Sequence, residues 1–243
     1  TGSIYIQSDV GNIYLRTNDS ENALEAVQNG AVTLYHNAVA KLATSAAGLS
    51  LGSSGVNTTI LTNSAGTNNL TLGSAAGDAI QSGGNYNVIL GDNAATSLTT
   101  GDTNVAIGWS ALYTATTSSN NVAIGADAMY ANTTGASNVA IGKGSLDANT
   151  EGDNNTALGL ASLSANTTAD NNTAVGHTAM NVNTTGHSNV AVGQGALDAN
   201  TTGASNTALG MSTLSANTTA SNNVAVGYAA LNADTTGTGN TAV

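Results

Sequence analysis

The chain has 243 residues, and its 3 Lys and Arg against 14 Asp and Glu give a formal net charge of −11. So few cations cannot neutralise the phosphates of a nucleic acid, and the absence of cysteine excludes disulfides, thiolate metal ligands and thiol nucleophiles. Because cations are so few, we expect no nucleic-acid partner. No stretch approaches the ~18 consecutive apolar residues of a membrane span, so we also expect no membrane insertion.

Residues 1–52 predict a small strand-rich N-terminal module. Alternating apolar and polar residues predict strands over these segments: Ser3–Ile6, Asn12–Arg16, Ala31–His36, Val39–Ala43 and Leu49–Gly52. The next segment, 53–86, is rich in Gly, Ser and Asn, and we expect a transition with irregular coils there. Thr1 is not an initiator Met, and we expect the chain to be a piece of a longer protein.

Residues 87–243 consist of a regular 17-residue repeat, which is the strongest signal in the sequence. The motif Asn-(Val/Thr)-Ala-(Ile/Leu/Val) begins at Asn104, Asn121, Asn138, Asn155, Asn172, Asn189, Asn206, Asn223 and Asn240. Looser copies begin at Asn69 and Asn87. We number each repeat from this asparagine, which is position 1.

The unit is too short for a helical pair, which needs about 30 residues or more. Apolar residues at positions 2 and 4, and again at 9 and 11, alternate as in strands, whereas Gly at position 5 and the Asn-Thr-Thr-Gly segment are typical of turns. Each unit is therefore predicted to form two short strands and two turns, one coil of a parallel β-solenoid. Coils of this kind stack at about 4.8 Å.

Three columns of the repeat define a predicted lumen or core and a predicted turn. We expect Ala at position 3 and the aliphatic residue at position 4 to form the lumen and core: Ala106, Ile107, Ala123, Ile124, Ala140, Ile141, Ala157, Leu158, Ala174, Val175, Ala191, Val192, Ala208 and Leu209. Position 5 supplies the turn glycines: Gly108, Gly125, Gly142, Gly159, Gly176, Gly193, Gly210 and Gly227.

The alternation also predicts self-association. Positions 2 and 4 point away from position 3, so one coil cannot bury both apolar rows, and a monomer rarely leaves such a stripe in water. We expect an intertwined or closely packed parallel homotrimer. A longer period of 51 residues links Leu146 with Leu197 and Leu163 with Leu214, which indicates that three units were duplicated together.

Variable columns supply the candidate contact residues. Positions 6 and 10 change in size and charge from copy to copy, so we expect them to face solvent or a groove between subunits. A possible receptor-contact surface comprises Trp109, Tyr113, Tyr130, Lys143, His177 and Tyr228. The alternative is a solvated rim without a binding role.

Catalytic and metal chemistry are not indicated. His36, His177 and His187 lack the partners of a metal site, the carboxylates form no pair suited to acid–base work, and the calcium β-roll pattern is missing. We therefore predict no cofactor and no enzyme activity. Asn-Thr-Thr triplets match the glycosylation pattern, at Asn57, Asn132, Asn166, Asn183, Asn200 and Asn217, but their periodicity favours a turn role.

These residues resemble a known class of protein. The unit Asn-Val-Ala-Ile-Gly-x-x-Ala-Leu with Asn-Thr-Thr-Gly resembles repeats of bacteriophage tail fibres, especially those of marine phages. Residues 12–23 and 29–36 resemble the strand-rich module that precedes them. The Val-Ala-Ile-Gly core is also similar to the head repeats of trimeric autotransporter adhesins, which form β-rolls in homotrimers. Their units are shorter than 17 residues.

The resemblance implies a structural and adhesive fibre segment on an extracellular virion tail. Its partners would be copies of itself, other tail or baseplate proteins, and a glycan or protein receptor on the host cell. The alternative is the head of a bacterial trimeric adhesin at the cell surface. Two functions of other classes are less favoured. An ice-binding solenoid would need regular outward Thr-x-Thr rows, whereas the Thr pairs here lie beside Asn in predicted turns, and a degradative tailspike enzyme would need paired carboxylates, which this sequence lacks.

Overall fold

The computed structural model describes residues 66–243 throughout and, before them, the backbone of the strand residues 5–9, 12–16, 22–26, 32–36, 39–45, 48–53 and 56–59, with residue 27. Every regular element in these described ranges is a β-strand. Fold class and repeat architecture are therefore confirmed as all-β with a parallel β-solenoid of about ten coils, each of roughly 17 residues.

The N-terminal strands form one antiparallel sheet in chain order. They are β1 Tyr5–Asp9, β2 Asn12–Arg16, β3 Asn22–Ala26, β4 Val32–His36, β5 Val39–Ser45, β6 Gly48–Ser53 and β7 Val56–Thr59. Strands β3 and β7 lie where no strand was expected, and residues 3, 4 and 31 of the predicted segments lie outside the described residues. The division into a module at 1–52, a transition at 53–86 and a solenoid at 87–243 stays a prediction.

The solenoid sheet contains one short strand from each coil. Its strands are β8 Leu70–Leu72, β9 Val88–Leu90, β10 Val105–Ile107, β11 Val122–Ile124, β12 Val139–Ile141, β13 Thr156–Leu158, β14 Thr173–Val175, β15 Val190–Val192, β16 Thr207–Leu209, β17 Val224–Val226 and β18 Thr241–Ala242. Each pairs in parallel with the next, so that Ala106 lies opposite Ala123. The parallel sheet begins at β8, one coil before the regular 17-residue spacing.

The second strand predicted for each coil is wrong. Positions 6 to 11 form turns, and positive φ recurs at positions 7 and 9, as in Ser110 (53°) and Leu112 (57°). Apolar residues two apart therefore do not require an extended backbone here. A left-handed conformation costs about 1–2 kcal/mol per residue, which hydrogen bonds between coils offset, such as Leu112 N–H to the Ala128 carbonyl at 2.9 Å.

The interior of each coil is narrow and completely buried. Ala at position 3 and Leu or Met at position 9 have no solvent-exposed surface in any coil from Ala106 to Ala208. Because strands are in register, alanine methyls stack directly on one another along the sheet. With Leu or Met at position 9, such an interior has no room for a larger residue at position 3. The coil that begins at Asn87 reverses the sizes, with Ile89 at position 3 and Ala95 at position 9, both fully buried.

Position 5 requires glycine for two independent reasons. Gly159 has φ of 139°, a region that side chains rarely adopt. A Cβ atom built there would also lie 2.5 Å from the carbonyl oxygen of Gly176 in the next coil. The same approach recurs from Gly108 through Gly210, whereas Gly227 has no neighbouring atom within 4 Å.

Candidate functional site

A ladder of buried asparagines at position 1 holds successive coils together. The backbone N–H of Asn155 donates to Oδ1 of Asn138 at 2.8 Å, while Nδ2 of Asn138 donates to the Gly152 carbonyl of its own coil at 2.8 Å. Each side chain thus bonds one coil to the next with its oxygen and closes its own coil with its nitrogen. The oxygen contacts continue from Asn69 to Asn240.

A second asparagine ladder occupies position 12. Nδ2 of Asn166 donates to Oδ1 of Asn149 at 2.8 Å and to the Ala169 carbonyl at 3.0 Å. The ladder joins six coils, at Asn132, Asn149, Asn166, Asn183, Asn200 and Asn217. All six are fully buried, which agrees with the turn interpretation of the Asn-Thr-Thr triplets and leaves no accessible acceptor for a glycan there. Asn57, whose side chain is not described, is outside this finding.

The second ladder ends where aspartate replaces asparagine. Asp234 occupies position 12 of the last complete coil, and its carboxylate accepts hydrogen bonds from Gly237 N–H and from Nδ2 of Asn240. A carboxylate has no N–H to donate backwards. Oδ1 of Asn217, which faces that coil, is accordingly a buried oxygen without a hydrogen-bond partner.

Positions 2 and 4 form a continuous outer face, the apolar face, along β8–β18. From Leu70 to Val243, every residue at positions 2 and 4 is Val, Thr, Leu or Ile, and none is charged. The position-4 residues predicted within the core lie on this face: Ile107, Ile124, Ile141 and Val175 are half-buried, and Leu158, Val192 and Leu209 are exposed. In the single chain position 4 therefore lies outside the lumen, because its side chains alternate with the inward alanines, and a core role between chains stays a prediction.

Position 6 lies on the surface in every coil that carries a large side chain there. Trp109 is 56% exposed and Tyr228 is 75% exposed, and Lys143 and His177 are also exposed. The structure therefore spreads these candidate contact residues along the stack and does not gather them into a cleft.

Tyr113 and Tyr130 form the one close association among the candidates. Their rings stack with centroids 5.1 Å apart and an interplanar angle of 5°, and they occupy position 10 of adjacent coils. Each ring has one face covered by the other, so the pair leaves less aromatic surface for a ligand than two isolated rings would. Its first effect is to stabilise coil stacking.

Carboxylates replace these tyrosines at position 10 further along. Partial burial raises the pKa of Asp147 above its usual value of 3.8, backbone N–H groups oppose the shift, and the Asp127 carboxylate adds to it. Burial likewise raises the pKa of Asp198, 51 residues later in the chain. In both residues, burial makes the charged form of the carboxyl energetically costly, and the pKa rises as a result.

The threonines at positions 13 and 14 differ in their use. The hydroxyl of Thr150 at position 13 donates to the Thr167 carbonyl of the next coil at 3.1 Å. Thr134 and Thr168 at position 14 are exposed. Only the threonine at position 14 is thus exposed, so these coils lack the paired outward threonine rows that an ice-binding face would need.

Within the described residues, no group of three or more His, Asp or Glu side chains has the arrangement of a metal site. Among the same residues, no helix is long and apolar enough to cross a membrane.

Comparisons with known proteins identify no relative. The chain matches no protein-family model, and no curated protein or solved structure is significantly similar to it.

Proposed function

We propose that the chain is a structural segment of an extracellular fibre, a parallel homotrimer that carries a receptor-binding apparatus, as in the phage tail fibres its repeats resemble. The observation that carries this proposal is the apolar face, which follows the stack from β8 to β18 without a charged residue. Such a face suits permanent burial against another chain.

The stack itself has the properties of a spacer. About ten coils at about 4.8 Å each give a rod of roughly 48 Å. Backbone bonds, two asparagine ladders and the alanine column bind each coil to its neighbours. Nearly identical coils provide length and stiffness rather than a concave site for a small molecule. The proposed role is mechanical and requires neither catalysis nor a cofactor.

A further copy of the chain is the partner that best fits the apolar face. Its rows repeat at the coil spacing, so only a partner with the same spacing meets every row in the same way. Net charge opposes this association, because copies with a net charge of −11 repel each other, and an uncharged contact surface keeps that repulsion lowest. Rotational symmetry then closes the assembly with equivalent contacts for each chain.

Light scattering on the full chain tests the association. We expect three times the chain mass of 23.6 kDa. Adding charge at Leu158→Asp and Leu209→Asp is expected to lower association at least tenfold, since each aspartate would have to be desolvated. The matched control is Thr168→Asp with Thr219→Asp, at exposed position 14 of the same two coils. A folded monomer for the unmodified chain rejects the proposal.

A further inference from the structure

The outer surface of the solenoid repeats with a period of three coils as well as one. Large apolar residues at position 6 are Trp109, Leu160 and Met211, which are 51 residues apart and 56%, 49% and 44% exposed. The coils between them carry Ala126, Lys143, His177 and Gln194 at this position, and Tyr228 follows Met211. Three coils correspond to about 14 Å along the axis.

In each of these coils the large residue at position 6 closely follows an aliphatic residue of the apolar face. Leu158 is 44% exposed and Leu209 is 37% exposed, and each lies two residues before the apolar residue at position 6. Only a glycine separates the two side chains, for example Gly159 between Leu158 and Leu160. In every third coil, the large apolar residue at position 6 thus continues the apolar face past the glycine turn at position 5.

One of the two coils in each interval between them carries a charged residue at position 6 or 10. Lys143 and Asp147 belong to one coil, and Asp198 occupies the equivalent place three coils later. Coils with a large apolar residue at position 6 and coils with a charged residue at position 6 or 10 therefore each recur every three coils.

This pattern matters because identical coils leave the axial register of neighbouring chains undetermined. If every coil presented the same rows, a copy displaced by one coil, about 4.8 Å, would make almost the same contacts. Homogeneous repeats therefore associate in several registers unless some feature penalises the wrong ones.

We infer that the three-coil period sets the axial register in which parallel copies of this chain associate, by excluding displacements of one and two coils. A displacement of three coils, about 14 Å, matches the period again and is disfavoured because the coils at the ends lose their contacts. In register, Leu160 of one copy lies level with Leu160 of the next. A displacement of one coil brings it level with Lys143 or His177, and a displacement of two brings it level with Ala126 or Gln194. The inference rests on the proposed association of copies, and it adds to that proposal the residues that choose among alignments.

Disulfide trapping measures the register directly, because the chain has no cysteine of its own. Two full-length, differently tagged chains are prepared, one with Val175→Cys and one with Val192→Cys. The two substitutions lie at position 4 of adjacent coils and are paired in the sheet. After co-refolding and oxidation, we expect links between chains that carry the same substitution and essentially none between chains that carry different ones. In register, the two cysteines of an unequal pair are offset by one coil, about 4.8 Å along the axis, in addition to the distance between the chains. This offset takes their Cα atoms to about 7 Å, too far for a disulfide.

A second variant removes the three-coil period without removing apolar surface. Lys143→Leu, His177→Leu and Gln194→Leu together make position 6 apolar in five consecutive coils from 138 to 222. We expect trimer mass to be retained and the unequal link to rise at least tenfold. The control, Glu151→Leu, Thr185→Leu and Thr202→Leu, places the same substituents at exposed position 14 of the same three coils and is expected to leave the register unchanged.

The outcomes separate this inference from the proposed function. A monomeric unmodified chain rejects the association itself. A trimer with abundant unequal links before mutation, or with none after the leucine substitutions, overturns the register role and leaves the association standing. A trimer that forms no link at equal positions shows that position 4 does not face the neighbouring copy, which also overturns it.

Discussion

At the scale of single residues, the asparagines at positions 1 and 12 hold successive coils together by hydrogen bonds. An amide side chain offers both a donor and an acceptor, so one residue can bond two coils and close a turn together. At position 12 these groups have no exposed surface, and each replaces water by partners from its own coil and the neighbouring coils. Buried polar networks of this kind stabilise only when they are complete.

Replacing Asn166 by alanine tests this dependence. The substitution removes the donor to Asn149 Oδ1 and to the Ala169 carbonyl, and the acceptor for Asn183 Nδ2. Asn149 Oδ1 is left without a donor, whereas the Ala169 carbonyl still accepts from Asn155 Nδ2 and Asn183 Nδ2 still donates to the Gly186 carbonyl. One buried group left unpaired costs about 1–3 kcal/mol, and we expect a loss of about that size per chain. Chemical denaturation measures it against Thr168→Ala, an exposed change in the same coil. Equal stabilities would contradict a structural role for the ladder.

Asp147 gives a pH dependence whose sign follows from its pKa. Because burial raises the folded-state pKa above 3.8, folding favours the protonated form, and the resulting stabilisation is complete below pH 3.8 and lost as the pH rises through the folded value. Asp147→Asn is therefore expected to raise Tm at pH 7 and to change it little at pH 3. Thermal melts at both pH values measure this. A Tm difference that is the same at both would show that charge is not the cause.

At the scale of the element, one coil is a short strand joined to a strained arc. Three strand residues supply a place in the parallel sheet, and the arc brings Leu or Met at position 9 into the interior opposite the small alanine. Left-handed residues make an isolated coil unfavourable, because their cost is recovered only through hydrogen bonds to adjacent coils. The coil is therefore stable only within a stack.

Ala157→Leu tests how tightly the coil is filled. Ala157 has no exposed surface and lies between Ala140 and Ala174 in the sheet, so the added methylene and methyl groups must displace packed neighbours. Overpacking is expected to cost about 1–3 kcal/mol in each chain. Calorimetry compares it with Leu158→Ala on the opposite side of the strand, which we expect to weaken association more than coil packing. An unchanged Tm for Ala157→Leu would mean that the interior can expand.

At the scale of the whole molecule, the solenoid distributes its side chains evenly and creates no single recess among the candidate contacts. The exposed Trp109 and the stacked Tyr113 and Tyr130 lie in two adjacent coils, residues 104–137. A spacer would use them for stacking or register, whereas a receptor site would use them as anchors. The two roles make different predictions for attachment.

Truncating Trp109, Tyr113 and Tyr130 together to alanine separates these roles. For a spacer, we expect attachment of the fibre to host cells to change by less than about tenfold, the equivalent of roughly 1.4 kcal/mol. Aromatic anchors in an interface would each contribute about 2 kcal/mol or more, and attachment would then collapse. Adsorption assays decide this, provided that trimer mass and Tm show that the variant still folds and associates.

The repeat length, the strand at positions 2–4, the alanine at position 3 and the glycine at position 5 follow from the sequence alone. Seventeen-residue copies within one chain show which positions accept change. Burial in a filled interior explains the repeated alanine, such as Ala106, and a close approach of neighbouring backbones explains the repeated glycine, such as Gly108. These restrictions act within a few residues, or between identical copies, and therefore leave a visible mark in the sequence.

The conformation of positions 6–11 and the inward direction of the asparagines were decided only by the tertiary structure. Period-two hydrophobicity fits an extended strand, yet Leu112 lies inside from a left-handed turn. Asn166 suits an exposed turn equally well by composition. It is buried because its partners Asn149 and Asn183 lie 17 residues away on either side, at hydrogen-bonding distance only after the coils have stacked. That proximity is a property of the stack and not of any single coil.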